Sequence, residues 1–125
     1  MYTLVLQRDF TASHFLIGGD WGEENHPHEH PYRVEVHLHG RRLDAHGYLV
    51  DLDRLETVLE ECVFRYRGRS LNTLPEFQGV NPSLENFAKR FFDALFQQLG
   101  HHSLEGGEIR IWENEAAWAS YREAF

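Results

Sequence analysis

The chain has 125 residues, the length of one domain, and 42% of them are apolar and 14% aromatic, enough to bury a core. Its formal net charge of −8 repels phosphate backbones, which excludes nucleic acid as a general partner. A lone cysteine, Cys62, excludes an internal disulfide and any zinc site built on two or more thiolates, and no stretch is apolar for long enough to span a bilayer, so a cytoplasmic protein with no membrane partner is expected.

Residues Tyr2 to His14 alternate. Tyr2, Leu4, Leu6, Phe10 and Ala12 are apolar, with Arg8 as the break in the even series, and this predicts a strand with one buried face. His14 ends that strand on the buried parity. Leu16 to Pro31 carry Gly18-Gly19, Asp20, Gly22, Asn25 and two prolines and are predicted as a loop. From Tyr32 to His39 the alternation is clean: Tyr32, Val34, Val36 and Leu38 on one face, Arg33, Glu35, His37 and His39 on the other. Gly40 to Gly47 reads as a turn and Tyr48 to Val50 as a short third strand.

Asp51 or Asp53 then opens a helix whose stripe is Leu52, Leu55, Val58, Leu59 and Cys62. Phe64 to Val80 is predicted as a long loop. Asn81-Pro82 opens a second helix with Leu84, Phe87, Ala88, Phe91, Leu95 and Leu99 on its stripe, closed by Gly100. Glu108 to Glu113 forms the last strand, and Trp118, Tyr121 and Phe125 pin the tail. The expected architecture is α+β: a four-stranded antiparallel sheet with both helices on one face.

Nine histidines are many for this length, and their spacing is informative. His28 and His30 precede the cleanest strand. On an extended chain, residues two apart share a face at roughly 6–7 Å, so two imidazoles can converge on one ion. His14, on the buried side of a neighbouring strand, can supply a third nitrogen and leave one tetrahedral position open. His26 has the same parity, so spacing alone also permits a different triad. His37 and His39 fall on the polar face and His46, His101 and His102 in turns, all expected at the surface. The arginines at 41–42 and from Arg65 to Arg69 read as solvated loops.

Glu113 has the parity of Ile109 and Ile111 and points inward at a strand end, where a carboxylate can accept two N–H bonds from a planar guanidine-like edge such as that of a pterin. Glu85 and Asn86 lie in the first turn of the second helix, where a capping role suffices. Glu23, Glu24 and Glu29 share the His-rich loop, within reach of proton transfer beside a metal-bound hydroxyl.

Several short motifs in order resemble the 6-pyruvoyl-tetrahydropterin synthase and 6-carboxy-tetrahydropterin synthase family, of the tunnelling fold. Phe10-Thr11-Ala12-Ser13-His14 is similar to F-x-A-x-H, and His28-Glu29-His30-Pro31-Tyr32 to H-G-H-x-Y, with Glu29 in place of glycine. Gly47-Tyr48-Leu49-Val50-Asp51-Leu52 resembles G-x-v-x-D-F, Pro82-Ser83-Leu84-Glu85-Asn86 resembles P-T-x-E-N, and Leu71-Asn72 resembles the L-N that closes D-H-x-x-L-N. Trp112-Glu113 resembles the family's pterin-binding glutamate.

The resemblance implies zinc on His14, His28 and His30, and a pterin substrate held by Glu113 near Ser83 and Glu85. It also implies homotrimers or homohexamers whose sheets close into a barrel with sites between subunits, which would remove the free sheet edges. Two departures stand out. The catalytic cysteine's place, four residues before His28, holds Glu24, and the Asp-His pair falls on Arg67-Gly68, for which His46 or His101 are the spatial substitutes to look for.

The expected activity is that of a zinc-dependent lyase or synthase acting on a dihydropterin side chain. Alternatives are aldolase-type cleavage of dihydroneopterin for folate synthesis with Glu24 as base, a non-catalytic zinc- and pterin-binding homologue, and a related reaction on a purine or deazapurine precursor.

Overall fold

A computed structural model describes residues 1–125. The first two strands, β1 (Tyr2–His14) and β2 (His28–Gly40), are each 13 residues long and pair antiparallel from Tyr2 opposite Gly40 to His14 opposite His28. Helices α1 (Leu52–Tyr66) and α2 (Leu84–Leu99) follow, then strands β3 (Gly106–Trp112) and β4 (Trp118–Ala124). The sheet is antiparallel throughout, in the order β1-β2-β3-β4.

Both helices cover the sheet face that carries the even residues of β1 and β2 and the odd residues of β3. Phe10, Ala12, Tyr32, Val34, Val36, Leu38, Ile109 and Ile111 are buried there against Leu55, Leu59, Phe87, Phe91 and Leu95. The predicted parity of both long strands holds, and it extends back through His30 to His28. Arg8, the break in the even series, lies on the helix side and donates to Glu60 of α1.

The sheet has four strands, but not the expected four. Tyr48 to Val50 is no strand: the Asp44 carboxylate accepts the N–H groups of His46 and Tyr48 at 2.8 and 3.0 Å and closes a turn, leaving Tyr48 exposed. The fourth strand is the tail. Ala119 and Tyr121 pair with Ile111 and Ile109, and only Tyr121 of that pair brings a bulky apolar side chain to the core.

Helix ends differ slightly from expectation. Asp51 caps α1, accepting from the N–H groups of Asp53 and Arg54. Ser83, not Asn81, caps α2 through the Asn86 N–H at 3.2 Å, and Gly100 at φ 77° ends it. The expected long loop is also more structured: α1 runs on to Tyr66, and two short 3-10 turns follow at Leu71–Thr73 and Pro75–Phe77. Glu76 on the second turn accepts from Arg65 and, at 3.0 Å, from the Tyr66 hydroxyl, which ties this segment to α1.

Candidate functional site

The long hairpin decides where the histidines meet. Its last pair sets His14 opposite His28, and His30 sits opposite Ala12 on the same face. The rings converge: the centroids of His14 and His28 are 4.5 Å apart, of His14 and His30 5.4 Å, and of His28 and His30 6.5 Å. The Nε2 atoms of His14 and His28 are 2.9 Å from each other. His26, the other candidate by parity, is exposed, and its carbonyl orients His28 instead, 2.9 Å from Nδ1.

Each of the three rings has its Nδ1 engaged. His30 Nδ1 is 2.8 Å from the Pro31 carbonyl, and His14 Nδ1 is 2.8 Å from the Tyr32 hydroxyl. Burial, with His28 and His30 beside it, holds the His14 pKa down at about 4 against a partly offsetting Pro82 carbonyl, so His14 is neutral at pH 7. Burial, with Glu113 nearby, raises the Tyr32 pKa. No three His, Cys, Asp or Glu side chains are drawn into a closed metal-holding group: His30 faces Glu113, its Nε2 3.7 Å from Oε1, instead of closing on His14 and His28. The chemistry of the donor set nevertheless fits a borderline metal ion, with three imidazoles on one face and every Nδ1 occupied in a way that leaves Nε2 as the ligating atom.

The loop after β1 is built by asparagines. Asn72 holds Phe15 at both ends, donating to its carbonyl and accepting its N–H, each at 2.9 Å. Asn81 accepts the Ile17 N–H at 3.1 Å. Asn25 donates to the carbonyls of Leu16 and Gly19, and the Leu16 N–H donates to the Glu24 carbonyl at 2.8 Å. This folds the loop back so that Glu24 and His14 line the same cavity. The cavity is about 290 Å³ and is lined by His14, Trp21, Glu24, Ser83, Glu85 and Glu113 among others. Four residues singled out for different reasons in the sequence, Glu24, Ser83, Glu85 and Glu113, thus meet beside His14. Glu113 lies one residue beyond β3 and also borders a second depression of about 630 Å³, toward Trp112 and Arg33.

Other expectations are corrected. Arg67 is exposed, 3.9 Å from Glu60, and Gly68 spends its N–H on the Thr11 carbonyl, so this turn offers no acid or base. Neither His46 nor His101 stands in. Both lie past the Gly40–Gly106 end of the sheet, and His101 stacks on Phe125 at 3.8 Å; β2 alone separates that end from His28 by about 40 Å. Cys62 is buried in α1, where burial pushes its thiol up to about 12, and it is no nucleophile. His37 is buried, not surface: its Nε2 donates to Glu35 at 2.8 Å, and Glu35 also accepts from the Trp112 indole. Tyr32, Asn72 and Asn81 were not predicted as site residues. An apolar-parity tyrosine beside H-x-H reads as core, and the asparagines read as turn formers.

The family described as 6-pyruvoyl tetrahydropterin synthase matches residues 3–124. A provisionally named 6-carboxy-5,6,7,8-tetrahydropterin synthase of Archaeoglobus fulgidus is 27% identical over 94% of this chain and 92% of its own length. The 6-pyruvoyl tetrahydropterin synthase of Caenorhabditis elegans superposes with a TM-score of 0.82 at 23% identity, over 99% of this chain and 98% of its own. That of Plasmodium vivax superposes at 0.83 and 14% identity over 99% and 98%. The latter is also solved as a variant in which a catalytic glutamate is replaced by alanine.

Proposed function

The chain belongs to the 6-pyruvoyl tetrahydropterin synthase family, and from that premise we propose that it is a zinc-dependent lyase acting on the side chain of a dihydropterin, with Glu24 as its general base. The convergence of Glu24, Ser83, Glu85 and Glu113 on one cavity beside His14, with His28 and His30 behind, carries the reading. His14, His28 and His30 would hold the metal. Bound there, zinc would supply a Lewis acid for side-chain oxygens.

The protein's own groups have distinct tasks. Glu113 accepts N–H bonds from the guanidine-like edge of the ring and fixes its orientation. Ser83 keeps a hydroxyl proton free while its oxygen caps α2, so it can donate to a ring acceptor. Glu85 stands in the first turn of that helix on the cavity rim. Glu24 withdraws a proton from a side-chain hydroxyl. The Plasmodium vivax relative, with its catalytic glutamate, supports a carboxylate in this role. Glu24 is exposed in the single chain.

With Arg67 and Gly68 where the resemblance calls for an acid–base pair, Glu24 is left to serve alone, which favours aldolase-type cleavage of dihydroneopterin over synthase chemistry. The same departure supports one rival, a zinc- and pterin-binding homologue without turnover. Incubating the zinc-loaded protein with dihydroneopterin and with its triphosphate, and following products by chromatography, separates them. Hydroxymethyl-dihydropterin is expected. A pyruvoyl or carboxy product would favour synthase chemistry, and binding of both substrates without consumption would favour the rival. Glu24→Gln is expected to abolish turnover, at least a hundredfold, while keeping zinc; unchanged turnover removes Glu24 from the chemistry.

A further inference from the structure

The three histidines are oriented by partners of two kinds. His28 and His30 each place Nδ1 against a backbone carbonyl, of His26 at 2.9 Å and of Pro31 at 2.8 Å. A carbonyl only accepts, so each of these rings carries a proton on Nδ1, and in its neutral form presents a lone pair at Nε2, that of His30 toward Glu113 at 3.7 Å. His14, which also has the Pro82 carbonyl nearby, is alone in having a side-chain partner at Nδ1, the Tyr32 hydroxyl, which can donate or accept.

The short contact between His14 and His28 makes that difference matter. Their Nε2 atoms are 2.9 Å apart, a hydrogen-bond distance. His28 brings a lone pair to this contact. Without a metal the proton between the two atoms therefore belongs to His14, which is then the Nε2–H form, and its Nδ1 accepts from the Tyr32 O–H. A metal ion on these nitrogens needs the opposite: a lone pair on His14 Nε2, its proton on Nδ1, and the Tyr32 oxygen as acceptor. A third backbone carbonyl in place of Tyr32 would forbid the metal-free pairing, and a phenyl ring would support neither form.

We propose that Tyr32 is a positioning residue that lets His14 exchange tautomers, so that the histidine cluster is hydrogen-bonded in the metal-free protein and ready to ligate when a metal arrives. The inference rests on the three-histidine metal reading above. The rest of Tyr32 is fixed for the task. It is 4% exposed, and its ring lies against Phe10, Phe87 and His30 at centroid distances of 5.7, 5.2 and 4.7 Å, so its hydroxyl cannot swing away from His14. The exchange moves a proton between the two nitrogens of one neutral ring and reverses one hydroxyl; no net proton is gained or lost.

Long-range proton–nitrogen correlation spectra of the imidazoles report which nitrogen carries hydrogen, without any activity measurement. In the metal-free wild type His14 is expected as the Nε2–H form and His28 and His30 as Nδ1–H; in the zinc-loaded protein all three are expected as Nδ1–H. Tyr32→Phe should remove the His14 preference and lower zinc affinity ten- to a hundredfold by chelator competition, with the circular dichroism spectrum retained. A metal-free wild type with His14 already on Nδ1 overturns the inference without recourse to any variant. So does a Tyr32→Phe protein that binds zinc as tightly as wild type. Failure of the wild type to bind zinc at all overturns the underlying metal reading instead.

Discussion

Phe96 lies so close to Gly107 that a β-carbon there would clash with its ring. Gly107 is the place where β3 lets α2 approach, and Gly107→Ala is expected to destabilise the protein by about 1–3 kcal/mol through overpacking, read from the urea midpoint. The sequence offers this glycine as one of an unremarkable pair, because close approach is a property of the partner across the layer. The same limit explains His37. Its parity predicts the solvent side correctly, yet the Trp112 indole and the carboxylates of Glu35 and Glu108 gather over that face and bury it. The convergence of His14, His28 and His30 on one face was legible because H-x-H on a strand needs only parity. Tyr32 was not, because a hydroxyl at a core position has no signature until its partner is placed.

An ion pair ties the segment between the helices to α1. Arg65 donates to both oxygens of Glu76, which also accepts from Tyr66, and the Arg65 bond above all holds the Glu76 carboxyl down at about 2. A carboxyl depressed in the folded state stabilises above its unfolded pKa, near 4.5, and that contribution is lost as pH falls from there toward 2. Allowing for the partial exposure of Arg65, it is on the order of 1–2 kcal/mol. Glu76→Gln is expected to lose that much at pH 7 and nearly nothing at pH 2, which denaturant midpoints at the two pH values will report. Both helices and both long strands were legible from apolar periodicity. Tyr48 to Val50 misled because three apolar residues in a row satisfy a strand pattern while Asp44 builds a turn. Strand β4, with Ser120, Arg122 and Glu123 among its seven residues, owes its form to the ladder with β3 and not to its composition.

At the scale of the molecule, helices cover one sheet face and the sheet ends in two edge strands, β1 and β4, each paired along one side. Tyr2 and Val5 on one and Trp118 on the other are exposed. Free edges with apolar side chains are a liability in a lone chain. Assembly with further copies is therefore expected, three or six being the numbers the family resemblance implies, and native mass spectrometry should find a multiple of the chain mass; a stable monomer would leave the edges unexplained. The one-sided layering was readable from strand parity. The order of the strands was not, since nothing in the alternation says which neighbour each strand takes.

The 13-pair ladder between β1 and β2 is joined by a 13-residue loop, not by a tight turn, so the turn does not set its register. Sliding one strand past the other by two residues would keep every side chain on its own face. It would separate His14 from His28, detach Asn72 from Phe15 and undo the bridge between Ser13 and Ser70. The hairpin thus has a competitor with the same facing, rejected by contacts at the loop end and by pairs further along the ladder, Arg33 with Asp9 and Thr3 with His39. An ion held by both histidines would act at the loop end as a clasp, so metal present during folding should sharpen the choice of register and speed arrival at the native pairing.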